Sequence, residues 1–184
     1  MVSLVSLWLP ILLSAVIVFV ASSVIHMLLG YHSTDFKRFP NEDAALDALR
    51  KLNLAPGDYA GPMPSSMAEM NSPEFKAKAG KGPRVSLTVL SPSSTMPRSL
   101  MLWFCYSLVV AIFAAYVGSI TLSAGTDYLQ VFRVTSTVTF VGFALAIWQG
   151  WVWYSRSLGY TLKATFDGLI YALLTGGVFG WLWP

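Results

Sequence analysis

The sequence predicts an all-α membrane protein, a four-helix transmembrane bundle with a cytoplasmic polar insert between spans 1 and 2. Three observations lead there. The 184 residues are 55% hydrophobic and 11% charged, with a mean hydropathy of +0.59, whereas soluble domains carry about 25% charge. The charge is segregated, since nine of the twelve Lys/Arg lie between Tyr31 and Arg98. Finally, small residues recur at every fourth position of the apolar runs. The stripe is clearest in TFDGLIYALLTGGVFGWLWP, where Gly168, Ala172, Gly176 and Gly180 share one helical face. Glycine costs about 1 kcal/mol against alanine in an aqueous helix, so glycines repeated along one face fit a membrane helix covered by a neighbour.

The first span covers residues 4–30. Its apolar run exceeds the length needed to cross a hydrocarbon core of about 30 Å. No basic n-region precedes it, so it reads as a retained helix rather than a cleaved signal peptide. Ser14, Val18, Ser22, His26 and Gly30 give it a small and polar stripe.

Residues 31–98 form the insert, with short helices and a candidate strand. Asn41 caps a helix that starts with Glu42-Asp43 and finishes near Arg50-Lys51, matching the dipole at both ends. Pro56-Gly57-Asp58 stops it, and Ser72-Pro73-Glu74 starts a second helix. Arg84 to Val89 alternates as a strand does.

The second span, residues 99–122, carries Ser107, Ala111 and Ala115 at the same spacing. The connection SAGTDYLQ is short, so the third span, residues 131–155, runs back beside the second. Gly142, Ala146 and Gly150 form its stripe, and Trp148, Trp151 and Trp153 its interfacial girdle. Residues 165–183 are the fourth span. Basic residues crowd the first and third connections, leaving only Arg133 on the other side. The positive-inside bias therefore puts residues 31–98 in the cytoplasm and both termini in the periplasm of a bacterial inner membrane.

His26, Gln149 and Asp167 are the intramembrane polar residues singled out as candidates. An ionisable group at that depth is a functional candidate. The topology brings Asp167 to the level of His26, where the pair would relay protons, orient a metal or cofactor ligand, or lock two helices together. His26 is also the one candidate cofactor ligand, for a heme or a chlorophyll-type pigment. The simpler reading of His26 is an interhelical hydrogen bond, and of Asp167 an ion pair with Lys163 one turn earlier. Gln149 suits a hydrogen bond across helices, and Arg133 an interfacial pair with Asp127. No metal site is read from the lone Cys105 or from Met63, Met67, Met70 and Met96, which lack spaced partners. No catalytic constellation or phosphate loop is found, and the net charge of +3 resides in a loop, so nucleic acid is set aside as a partner.

The stretches SAVIVFVASSVIHMLLGYH, PGDY and LWFCYSLVV, and above all TFDGLIYALLTGGVFGWLWP, resemble a family of small bacterial four-span integral membrane proteins to which no activity is attached. The resemblance implies an inner-membrane location and four spans, and it carries over no catalytic residue or cofactor. The function expected is that of a non-catalytic accessory or scaffold subunit of a larger bacterial membrane complex, an energy-transducing (respiratory or photosynthetic) one being a candidate. Its partners would be lipid and other membrane subunits, with no cofactor. The alternatives are a membrane enzyme or carrier using His26 and Asp167 at the cytoplasmic face, and heme or pigment binding through His26.

Overall fold

In the computed structural model, which describes residues 2–184, four helices are long and apolar enough to cross a membrane: Leu4–Met27, Met96–Thr121, Tyr128–Tyr154 and Leu158–Trp181. A 3-10 turn at Leu4–Leu7 leads into α1, Trp8–Met27. The polar segment contains α2 (Glu42–Lys51), β1 (Gly57–Gly61), α3 (Met67–Asn71), α4 (Pro73–Lys81) and β2 (Val85–Val89). Then come α5 (Met96–Thr121), α6 (Tyr128–Phe143), α7 (Trp148–Tyr154) and α8 (Leu158–Trp181). Residues Arg38–Thr95 make one compact unit, and the chain before and after them makes the other.

Within the apolar unit α1 packs on α5 and α8, and α6 packs on α5 and, most extensively, on α8. Small residues set these approaches. A methyl group on Gly176 would come within 2.8 Å of Ser136 Cβ and 3.0 Å of the Phe132 carbonyl oxygen. One on Gly180 would meet the Tyr128 ring at 2.7 Å, and one on Gly168 would meet Ala144 Cβ at 2.8 Å. Gly142 faces Val110 of α5 in the same way, at 3.0 Å. Ser107, Ala111, Ala115 and Ala172 are buried. Two hydroxyls buried beside them bond within their own helix, Thr135 to the Val131 carbonyl and Thr139 to the Thr135 carbonyl, so close packing leaves these donors satisfied. At the far end Trp183 Nε1 donates to the Ser123 carbonyl and the Gly125 amide to the Pro184 carbonyl, tying the C-terminus to the α5–α6 connection.

The third apolar segment is interrupted. After Phe143 the chain passes through Ala144 and a 3-10 turn at Leu145–Ile147 before α7 resumes. The interruption falls where Gly168 of α8 meets Ala144. It shifts the register, so Ala146 and Gln149 are exposed rather than aligned with Gly142, and Gly150 instead sits near the Arg156 stem. Tyr106 of α5 donates to the Gly142 carbonyl next to the break, satisfying an acceptor where helical hydrogen bonding changes. Helix α8 starts at Leu158, ahead of the expected Thr165, because Ser157 caps it through the Tyr160 amide. Asp127 likewise caps α6, accepting from the Leu129 and Gln130 amides, and no ion pair links it to Arg133 among the described residues.

In the polar unit, Asn41 accepts from the Ala44 amide at the start of α2, and Ser72 from the Phe75 amide at the start of α4. Strand β2 pairs antiparallel with β1, with Gly57 opposite Val89 and Gly61 opposite Val85. The PGDY stretch expected only to stop a helix therefore also begins a strand. No side chain of this unit is buried. Phe39, Leu46, Leu49, Leu54, Leu87 and Val89 line an open cavity of about 540 Å³ in place of a closed core.

The glycine contacts separate two substitutions of identical chemistry. Gly176→Ala overpacks α8 against α6 and is expected to lose about 1–3 kcal/mol. Gly159→Ala, in the same helix with nothing within 4 Å of the new methyl, is expected to be neutral or slightly stabilising. Thermal unfolding in detergent measures both, and equal effects would refute the close approach.

Candidate functional site

Helix α1 ends against Gly30, whose positive φ of 64° turns the chain back, and the 3-10 turn Tyr31–Thr34 follows. This reversal lays Tyr31, His32 and Asp35 against the first half of α8. His32 is the hub. Its Nδ1 lies 2.6 Å from Asp35 Oδ2 and its Nε2 2.8 Å from Asp167 Oδ2. Both ring nitrogens face carboxylate oxygens. Either an imidazolium donates to both, or one proton is shared between Nε2 and Asp167.

Asp167 is only 3% exposed, and a carboxylate there needs a partner to offset lost hydration. His32 serves Oδ2, but Oδ1 is buried with no hydrogen-bond partner among the described residues. The Tyr31 and Tyr171 hydroxyls are in the same condition, Tyr171 lying one turn after Asp167 on α8. Asp35 is fully engaged. Lys163 Nζ donates to its Oδ1 at 2.9 Å, to the Thr34 hydroxyl at 2.8 Å and to the Tyr31 carbonyl at 2.6 Å. Burial alone would raise the Asp35 carboxyl, but the hydrogen bonds from Lys163 and His32 outweigh it and hold the group below its usual 3.8.

The sequence reading paired His26 with Asp167 and Lys163 with Asp167. In the structure His32 takes Asp167 and Lys163 takes Asp35, because the turn at Gly30 carries His32 and Asp35 past the end of α1 and onto α8. His26 stays at the edge of the cluster. It is exposed in the last turn of α1, its Nδ1 lies 3.0 Å from the Ser22 carbonyl, and its ring stacks on His32 at 4.3 Å. Ser22 is anchored in turn, accepting from Trp103 Nε1 of α5. Gln149 lies outside the cluster and exposed.

His32, Asp35, Tyr31 and Tyr171 are the members that sequence reasoning missed. The signal was present as two short spacings, His32 with Asp35 at i,i+3 and Lys163 with Asp167 at i,i+4, which one left-handed glycine brings together. A cleft of about 280 Å³ opens beside the cluster, lined by Asp35, Phe36, Ser155, Arg156, Ser157 and Tyr160. No family model matches the chain, and neither does any curated protein or solved structure.

The Asp35 contacts predict a pH-dependent stability. Its lowered value means that the stabilisation is complete above 3.8 and is lost as pH falls through the folded-state value. Lys163→Met is expected to destabilise by about 1.5–3 kcal/mol at neutral pH. It is also expected to flatten the loss of melting temperature that the parent shows on acidification through 3.8. Parallel pH profiles for the two proteins would rule this out.

Proposed function

We propose that the protein is a multi-pass protein of the bacterial inner membrane, a four-helix transmembrane bundle with both termini periplasmic and residues 31–98 cytoplasmic. We further propose that it acts as a membrane enzyme or carrier through the cluster at the cytoplasmic ends of its first and fourth spans, where it handles a proton or a cation. One observation carries this reading: His32 is held between two carboxylates, and one of these, Asp167, keeps a buried oxygen without a partner. A purely structural lock between α1 and α8 has no need of an unsatisfied carboxylate oxygen, which is costly at low dielectric. Ionisable groups inside membrane helices commonly mark proton or ion sites. The orientation rests on the basic residues of the first and third connections.

A second reading, that of a non-catalytic accessory or scaffold subunit, is favoured by a different observation. Glycine contacts bring α8 close against α6, while Met101, Val109, Phe113 and Tyr116 of α5 are exposed apolar side chains. An energy-transducing complex would be one host for such a subunit.

Two experiments test these readings. In a Cys105→Ser background, Ser65→Cys is expected to react with an impermeant thiol reagent only after the inner membrane is opened, and Ser3→Cys before; the reverse pattern would invert the topology. In a host deleted for the protein, His32→Gln and Asp167→Asn are expected to reach wild-type levels in the membrane yet fail to restore the lost phenotype. Full restoration by both variants, with a fixed set of subunits co-purifying in mild detergent, would select the accessory reading instead.

A further inference from the structure

The two histidines are prepared in the same way. His26 sets Nδ1 against the Ser22 carbonyl, and His32 sets Nδ1 against the Asp35 carboxylate. In the neutral ring, an N–H donated on that side fixes the tautomer and leaves the lone pair on Nε2. Histidines that ligate metals are held in this manner, the far nitrogen donating to a carbonyl or a carboxylate. One ring nitrogen from each histidine and one carboxylate oxygen of Asp167 all lie within 4.8 Å of one another. Asp167, 3% exposed and with Oδ1 unpartnered, supplies the independent indication that a ligand is missing from the arrangement. Asp35 already has Lys163, so the carboxylate still open to a cation is Asp167.

We propose that His26, His32 and Asp167 bind a divalent first-row transition-metal ion of the zinc type, with Asp35 and the Ser22 carbonyl as positioning groups. This deepens the reading given above, on which it rests, by naming the ion. Two imidazoles and one carboxylate suit zinc and its neighbours, whereas magnesium and calcium prefer sites built wholly from oxygen. Three protein ligands leave a coordination position open, as in reactive or exchangeable sites and unlike closed structural ones. The exposure of His26 puts that open position at the edge of the cluster. The ion takes the place of the proton between His32 Nε2 and Asp167 Oδ2, with a nitrogen of the stacked His26 ring already within 4.8 Å of the other ligand atoms. Binding therefore releases a proton and weakens on acidification.

The test uses the full-length, tag-free protein, stripped of metal, in detergent micelles and titrated with zinc or cobalt(II). One equivalent per chain is expected, with proton release in a weakly buffered titration, a zinc-induced rise in melting temperature and the visible bands of a low-symmetry cobalt(II) site. His26→Ala and Asp167→Asn are expected to abolish stoichiometric binding, and Asp35→Asn to weaken it about 10–100-fold. Pulsed electron paramagnetic resonance of copper(II) added to the unsubstituted protein is expected to show two imidazole nitrogens, which keeps the test decisive if a variant fails to fold. Absence of stoichiometric binding, or affinity unchanged in all three variants, would overturn the metal site. If His32→Gln and Asp167→Asn still abolished function in that event, the cluster would stand as a proton site and only the ion would have been misassigned.

Discussion

The approach of α8 to the third apolar segment is the constraint on which the rest of the structure depends. Gly168, Gly176 and Gly180 present no side chain where they meet Ala144, Ser136 and Tyr128, which rest there almost on backbone. Helices in lipid gain nothing from hiding apolar surface from water, so van der Waals contact at such short range is what holds them together. The same glycine stripe fixes the rotation of α8 about its axis. Asp167, adjacent to Gly168, is thereby turned inward with Tyr171, while Phe166 and Leu169 face out. Packing and chemistry are coupled through neighbouring residues of one helix.

A carboxylate committed to the interior in this way has to be neutralised from somewhere. The structure uses a segment that is not itself a membrane helix. The turn at Gly30 returns Tyr31–Thr34 to the end of the helices, bringing an imidazole to Asp167 and a second carboxylate to Lys163. The cluster thus alternates in sign from Asp167 through His32 and Asp35 to Lys163. Removing any member leaves a neighbour with an unmatched group in a poorly solvated place.

Much of this was legible in the sequence, and unevenly so. Apolar length and four-residue stripes expose the helical segments, because both are local consequences of helix geometry and hydrocarbon thickness. Gly142, Gly168, Gly176 and Gly180 could therefore be placed at contacts from spacing alone. The break at Ala144 could not, since LAIWQG carries no proline to mark it. For the cluster, Asp167 and His26 were found because they interrupt apolar runs. His32 and Asp35 were assigned to the polar segment by composition, although one residue with φ of 64° decides on which side of the boundary they belong. A single backbone dihedral of that kind redirects the chain while leaving no trace in hydropathy.

The two halves of the cluster are separated by 135 positions between His32 and Asp167. A chain is made from its amino end, so His32 and Asp35 are synthesised long before Lys163 and Asp167. Until the last helix is made, His32 and Asp35 have only each other, and the sites that Lys163 and Asp167 will occupy beside them stay open.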